Sequence, residues 1–499
     1  MQISTRLDCD LVAVEAADEL TLLVEVNAPT PASTVTRPAA TLQIVLDRSG
    51  SMAGERLDGA KTAILSLIDR LDPTDNLGVI AFDDAVQVVV PAGPLTDKAL
   101  AKHAVASIES GGMTDLSAGY IRGLQEARRV AGAAGATVLL ISDGHANEGI
   151  VDPDVLGKVA GEAATDKVTT STLGFGLGYD EVLLAALAAG GRGNELFAEE
   201  ADTATALIGG EVEGLLTQVA QACSLRVTLT PDVQAVTLLN DLPCVGLADG
   251  IMIELGSFYA AECRRLVLRL AIPGIAGLGL AEVATLQFTH VSLPDLVQHT
   301  ATLPVNVNVV PGDEAAGRIQ DPTVVSEALF QQTQREKKDA SKLLSEGRVE
   351  DASAILRGSA LNLQQASLAM PSALAAELLN EAAVMSSLAD ESTYDVARAA
   401  KSASYDNSRK SRQRGRQSTG GAFVLRWADG DPDGVLVLEE WELVRLIRVA
   451  PEAARLRNTR EVVSAAVAAD IARQVIEPDA HITFFSGAAV HGGVSVERA

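Results

Sequence analysis

Along the first 40 residues, apolar positions come in short runs broken by polar turns. Leu11-Val12-Ala13-Val14 and Leu20–Val26 read as strands separated by a turn at Asp18-Glu19, and Pro29, Pro31 and Pro38 mark a linking stretch. From Thr41 the pattern changes. Thr41–Asp47 (TLQIVLD) and Ala136–Ser142 (ATVLLIS) are near-continuous apolar runs, as strands buried on both faces of a parallel sheet require. Helical periodicity predicts helices over about 54–71, 97–109 and 116–131, with a strand at Gly78–Phe82 and an edge strand at Val86–Val90. Val168–Gly174 follows a further helix, and Glu195–Ala198 is a short late strand. This alternation predicts a doubly wound α/β domain over residues 41–220.

Alternation with period two returns over 224–310, at Leu225–Leu229, Ile251–Leu255, Arg265–Ile272, Val283–Phe288 and Pro304–Val310. These strands are too few to close a unit of their own. The N-terminal strands complete them, so a β-sandwich-like domain of residues 1–40 plus 221–312 is expected, with the α/β domain inserted into it. A helical bundle follows over 321–405, with helices at Ser326–Leu344, Val349–Leu368 and about 371–389 and a turn at Gly347. Residues 406–421, which include NSRKSRQRGRQ (Asn407–Gln417), read as a basic linker. The remainder, 422–499, is expected as a small α+β unit, with strands at Phe423–Trp427 and His481–Phe485 and helices near 438–448 and 459–476.

Composition narrows the function. Hydrophobic residues make up 47% and charged residues 21% of 499, which fits a globular chain and argues against wholesale disorder. The formal net charge of −26 repels phosphate backbones, so nucleic acid is not an expected partner. No 18-residue apolar stretch is present and MQISTRLDCDLVAVEA does not read as a secretory signal, so no membrane association and a cytoplasmic location are expected. Cys9, Cys223, Cys244 and Cys263 lie far apart with no CxxC pair and are expected as buried free thiols.

The chemistry concentrates where buried strands of the α/β domain run into loops, since ligands of open α/β sheets gather at strand carboxyl ends. Asp47-Arg48-Ser49-Gly50-Ser51-Met52 follows the first such strand, and Ser142-Asp143-Gly144 ends a later one. Between them lies Gly111-Gly112-Met113-Thr114-Asp115-Leu116. Asp47, Ser49, Ser51, Thr114 and Asp143 thus offer two carboxylates and three hydroxyls, a hard oxygen set suited to Mg²⁺ or Mn²⁺. With two formal negative charges and neutral hydroxyls, such a site is short of ligands and open to a carboxylate from outside. Capping of helix N-termini accounts for Asp47 and Asp143 singly but not for five oxygens together. Asp115 is expected as a helix cap, Asp83 and Asp84 as solvated loop residues, and His145 as an exposed histidine.

DRSGSM, GGMTDL and ISDG, in that order and on that topology, resemble the metal-ion-dependent adhesion site of von Willebrand factor A domains. The resemblance implies a Rossmann-like fold in which Asp47, Ser49 and Ser51 supply the first ligand loop, Thr114 the second and Asp143 the third, and all five ligand types are present. It further implies a metal whose open position accepts Asp or Glu from a protein partner. The stretch Gly176–Ala198 is similar to the late part of such domains. The split β unit around the domain resembles bacterial proteins of this class and, more distantly, inter-alpha-trypsin inhibitor heavy chains.

The function expected is therefore non-enzymatic, metal-dependent protein–protein interaction, with an AAA+ ATPase or another complex under assembly as the partner the resemblance implies. The alternative is a metal-assisted hydrolase using a Mg²⁺-bound water, for which Asp115 and His145 are the unassigned bases near the motif loops. A third reading gives the basic run from Arg409 to Arg416 a polyanion to bind. No GxxxxGK[ST], GxSxG or HExxH motif occurs.

Overall fold

The computed structural model describes residues 1–30, 37, 39–199, 201–231 and 233–412, and then 423–427, 435–438, 454–456, 462–463, 481–486 and 489–498. The chain divides into two units, Met1–Leu356 with Leu388–Arg414, and Arg357–Ser387 with Gly415–Ala499.

The first unit opens with β1 (Gln2–Leu7), β2 (Leu11–Ala13) and β3 (Asp18–Asn27). An α/β segment follows, made of β4 (Thr41–Asp47), α1 (Glu55–Arg70), β5 (Asn76–Phe82), β6 (Val86–Pro94), α2 (Lys98–Ala106) and α3 (Leu116–Val130). It continues through β7 (Ala136–Ser142), α4 (Pro153–Thr165), β8 (Val168–Phe175), α5 (Glu181–Gly190), β9 (Arg192–Ala198) and α6 (Ala201–Leu216). Seven strands come next: β10 (Gln218–Leu229), β11 (Ala235–Leu238), β12 (Cys244–Leu247), β13 (Gly250–Tyr259), β14 (Cys263–Ile272), β15 (Gly279–Ser292) and β16 (Gln298–Val310).

The α/β sheet has the order β6-β5-β4-β7-β8-β9, parallel except for β6, which pairs antiparallel with β5 at the edge. Every residue of β4 is buried. Ile44 and Leu46 turn to a layer holding Leu57 and Ile64 of α1, Val105 of α2 and Ile208 of α6. Val45 turns the other way, to Tyr120 of α3, Leu156 of α4 and Leu183 of α5. A fully buried aliphatic side chain of this kind contributes about 1.5–3 kcal/mol, so the two layers hold the sheet from both sides. The adjacent strands β4 and β7 send their following helices, α1 and α4, to opposite faces. That divergence opens a crevice at their carboxyl ends.

The flanking strands form two further sheets, β1-β3-β14-β11 and β12-β13-β10-β15-β16-β2, which share one core. Leu20, Leu22, Val24 and Val26 of β3 meet Leu225 and Val227 of β10 and Leu286 and Phe288 of β15 in that core. Residues on both sides of the α/β segment thus build these sheets. β1, with a mostly exposed sequence, escapes the hydrophobic pattern; it is held by its backbone ladder to β3.

After α7 (Gly312–Ala315), Asp321 caps α8 (Pro322–Ser345) by accepting from Thr323 N, and Pro322 fits the first turn, where no amide hydrogen is needed. α9 (Val349–Ser367) and α10 (Ser372–Glu391) lead to α11 (Val396–Arg412). The last departs from the expected linker over 406–421. Residues up to Arg412 are helical, and Asp406, Asn407, Lys410 and Ser411 are buried. The reason is spacing: Asp406 pairs with Lys410 at 3.1 Å and Ser411 bonds Asn407 at 2.9 Å, each one helical turn apart, while Lys337 of α8 also pairs with Asp406. Residues 413–421 of that expected linker lie outside the described residues.

In the second unit β17 (Phe423–Trp427), β18 (Val435–Leu438), β19 (Ala454–Leu456), β20 (Val462–Val463), β21 (His481–Ser486) and β22 (Ala489–Arg498) form a sheet of order β18-β17-β22-β21-β19-β20. Val462–Val463, expected in a helix, pairs instead with β19. The rest of that expected helix, and the one near 438–448 beyond the end of β18, lie outside the described residues. No helix among the described residues is long and apolar enough to cross a membrane.

Candidate metal centre

The crevice at the carboxyl ends of β4 and β7 gathers the motif residues. Asp47 ends β4, fully buried; its Oδ1 accepts from Ser49 N at 2.8 Å and its Oδ2 from Ser142 Oγ at 2.6 Å. The first of these bonds folds the chain into a tight turn, so that Ser49 and Ser51 bring their hydroxyls within 3.1 Å of each other. Ser51 Oγ donates to Asp143 Oδ1 at 2.7 Å, which ties the loop after β4 to the loop after β7. Asp47, Ser49, Ser51 and Asp143 therefore form one connected set of oxygens.

Thr114 joins through the backbone. Gly50 N donates to Gly112 O at 3.1 Å and Gly111 N to Arg48 O at 2.7 Å, which lays the second loop against the first. Thr114 is 4% exposed, and its N–H donates to Asn147 Oδ1 at 3.0 Å. The glycines are needed here: a β-carbon on Gly111 would fall 1.9 Å from Asp83 Oδ2, and one on Gly112 2.5 Å from Asp84 Oδ1.

Asp83 corrects the expectation of a solvated loop residue. It is buried and accepts from Ala85 N at 2.9 Å and Gly112 N at 3.3 Å, while Arg48 Nη2 pairs with it at 3.1 Å. Burial works against its charge, but these bonds and the Arg48 guanidinium hold its carboxyl below the usual range. Asp84 is exposed, as expected. Asp115 caps α3, accepting from Ala118 N at 2.9 Å and Ser117 Oγ at 2.7 Å. His145 is largely exposed, with Nδ1 3.4 Å from Asp180 Oδ2.

The electrostatics suit a cation. Burial pushes the Asp47 carboxyl up, the nearby Asp143 charge adds to this, and the bonds from Ser142 and Ser49 act against it. Two buried carboxylates thus repel each other across a set of neutral hydroxyls. Among the described residues no group of three or more His, Cys, Asp or Glu side chains is placed to hold a metal ion, so any ion here depends on the hydroxyls. With oxygen donors, no nitrogen or sulfur, and room for outside ligands at exposed Ser51, the set fits a hard divalent cation such as Mg²⁺.

Three residues beside the five oxygen donors fall outside the site expected from the sequence. Ser142 fixes Asp47, Asn147 fixes Thr114, and Arg56 Nη1 lies 2.5 Å from Asp143 Oδ2. Ser142 was visible as the residue before Asp143 but reads as strand. Arg56 reads as an ordinary first-turn helix residue.

A sequence model of the von Willebrand factor type A domain matches residues 42–209. Residues 42–209 are a von Willebrand factor type A domain. The protein sll0103 of Synechocystis sp. is 35% identical over 158 residues, 32% of this chain and 37% of that one. Human inter-alpha-trypsin inhibitor heavy chain H3 is 32% identical over 142 residues, 26% of this chain and 16% of its own length. The chain therefore spans well under half the length of these relatives. A von Willebrand factor type A protein from Catenulispora acidiphila shares the fold with a TM-score of 0.61 at 15% identity, covering 78% of this chain and 89% of its own. As a family, these domains serve protein–protein interaction and metal-dependent binding, and they are generally not enzymes.

No disulfide joins the four cysteines; Cys9 and Cys223 are buried, as expected, whereas Cys263 is half-buried and Cys244 is exposed on β12, a strand with little cover.

Proposed function

We propose that this protein is a non-enzymatic, metal-dependent protein-interaction module. Asp47, Ser49, Ser51, Thr114 and Asp143 hold Mg²⁺, or Mn²⁺ in its place, and the ion's open position takes an Asp or Glu side chain from a partner protein. The observation that carries this reading is the bonded chain of oxygens from Asp47 through Ser49 and Ser51 to Asp143, buried at both ends and exposed at Ser51. The bound ion supplies the positive charge that Asp47 lacks and that Asp143 receives only from Arg56. Asp47 and Asp143 bind it, Ser142 and Asn147 orient the ligands, and the burial of Asp47 strengthens the attraction.

The rim supports a protein as the ligand. Met113, beside Thr114, is 50% exposed, and Leu177, on the loop after β8, is 36% exposed; both offer apolar area to a partner. Of the two bases of the hydrolase alternative, Asp115 is committed to capping α3, while His145 stays exposed beside Asp180, so that reading rests on His145 alone. An AAA+ ATPase is the partner class proposed, acting in the cytoplasm.

The experiment is affinity capture on the immobilised full chain from cell extract in Mg²⁺, in EDTA, and with Asp47→Ala. Proteins retained by the wild type in Mg²⁺ and lost in both other conditions are expected, an AAA+ ATPase among them. The same retained set in all three conditions would sink the metal-bridged reading.

A further inference from the structure

Arg56 is not explained by an oxygen donor set. It is the second residue of α1, and its Nη1 lies 2.5 Å from Asp143 Oδ2 and 3.4 Å from the Ser51 carbonyl oxygen. Its side chain is 41% exposed, whereas that of Asp143 is fully buried. The loop after β8 leaves room for the guanidinium: Gly176 sits at φ +74°, and a β-carbon there would come within 3.3 Å of three guanidinium atoms. Asp143 Oδ1 is already taken by Ser51, so the carboxylate is shared between a hydroxyl on one oxygen and a fixed cation on the other.

The consequence lies in the charge count. Asp47 and Asp143 would present two negative charges to an incoming ion, but Arg56 cancels one of them. A divalent cation then leaves the loaded site with one net positive charge. Without Arg56 the same ion would leave it neutral. Arg48, the other arginine of these loops, is matched by Asp83 and leaves this count unchanged.

Resting on the reading of the five oxygens as a metal site, we propose that Arg56 is a specificity-determining residue that sets the charge of that site. It weakens the grip on the ion and makes the loaded site demand an anionic ligand. Metal affinity is exchanged for selectivity towards a carboxylate. A divalent ion a few ångströms from a guanidinium in a partly solvated crevice is disfavoured by on the order of tenfold in affinity. Charge, rather than the shape of the guanidinium, carries the effect, so lysine can stand in for arginine.

Two arms test this on the full chain at constant ionic strength. In chloride buffer, calorimetric titration with Mn²⁺ compares wild type, Arg56→Gln, Arg56→Lys and Asp47→Ala. Arg56→Gln is expected to bind Mn²⁺ on the order of tenfold more tightly than wild type, and Arg56→Lys within about twofold of it. In the second arm acetate replaces chloride as the carboxylate probe, with the acetate–Mn²⁺ association in buffer subtracted. Acetate is expected to tighten Mn²⁺ binding to wild type and to do so less for Arg56→Gln, because ligand and ion binding are linked. A purely structural role for Arg56 would weaken Mn²⁺ binding in Arg56→Gln. Equal or weaker binding by Arg56→Gln at unchanged circular dichroism overturns the role of Arg56 alone, as does an equal acetate gain in both proteins. No saturable Mn²⁺ binding to wild type, or undiminished binding to Asp47→Ala, removes the metal reading and this inference with it.

Discussion

At the carboxyl edge of the α/β sheet, Asp47 and Asp143 are buried with serine hydroxyls, a backbone N–H and one guanidinium. Between α8 and α11, Asp406 is buried with the ammonium groups of Lys337 and Lys410. Both places take carboxylates out of water, which costs several kcal/mol for an ion left without partners. In the first, carboxylates outnumber the fixed cation that meets them. In the second, cations outnumber the carboxylate. A surplus of buried negative charge is tolerable where an ion can bind, and a matched or overmatched charge needs no ligand at all. The same residue types thus mark a candidate site in one place and a joint between helices in the other.

The largest effect that could break this contrast belongs to the helix joint. Lys337→Met leaves Asp406 without its fully buried partner and is expected to cost about 3–5 kcal/mol in denaturant unfolding, part of it recovered when Asp406→Leu is added. Asp143→Asn, measured in EDTA, should stay within about 1 kcal/mol of wild type, since it relieves repulsion of Asp47 while losing a partly exposed pair. A large loss there would make the two clusters alike. Next in size, Mg²⁺ at about a hundred times its dissociation constant should stabilise the wild type by about 2.7 kcal/mol and leave Asp47→Asn unmoved. Thermal unfolding of both proteins, each with and without metal, checks it.

Acid should separate the clusters by sign. Burial raises the Asp406 proton affinity, but Lys337, Lys410 and Arg409 outweigh it and hold the carboxyl well below its ordinary value of 3.8. The native state therefore binds this proton less readily than the unfolded chain. The stabilisation from Asp406 is fully present above the unfolded value and fades as pH falls through it towards the folded one. Asp47 is shifted upwards, so between 3.8 and its folded value the native state takes up the proton first. Its contribution in EDTA therefore improves as pH falls through that window. Unfolding free energies of Asp47→Asn and wild type should converge on acidification there, while those of Asp406→Asn and wild type converge only below about 4. The smallest effect distinguishes a cap from a ligand: Asp115→Ser keeps an N-cap for α3 and should change stability by only a few tenths of a kcal/mol and Mn²⁺ affinity by less than about twofold.

How far each region could be read in the sequence follows from the same contrast. β4 and β7 announce themselves because both faces are covered, which forces seven-residue apolar runs. The residues that follow them are short-range motifs, so the sequence alone places Asp47, Ser49, Ser51 and Asp143 on one edge. Thr114 was legible through the glycines around it. What escaped depends on contacts distant in sequence. Arg56 meets Asp143 across 87 positions, and Asp83 meets the amide of Gly112 across 29. The end of α11 misled because a polar, basic run is the usual signature of a solvated linker, and the partner that buries it, Lys337, lies 69 residues earlier. β1 has no apolar face to betray it and depends on β3 for its ladder.

The central claim is that Asp47, Ser49, Ser51, Thr114 and Asp143 hold one divalent ion. Equilibrium binding of Mn²⁺ to the full chain, followed by the electron paramagnetic resonance signal of the free ion, tests it most directly. One saturable site is expected in wild type, lost in Asp47→Ala at unchanged circular dichroism and with Mn²⁺ displaced by excess Mg²⁺. Wild-type protein without saturable binding, or Asp47→Ala binding as tightly as wild type, would contradict it.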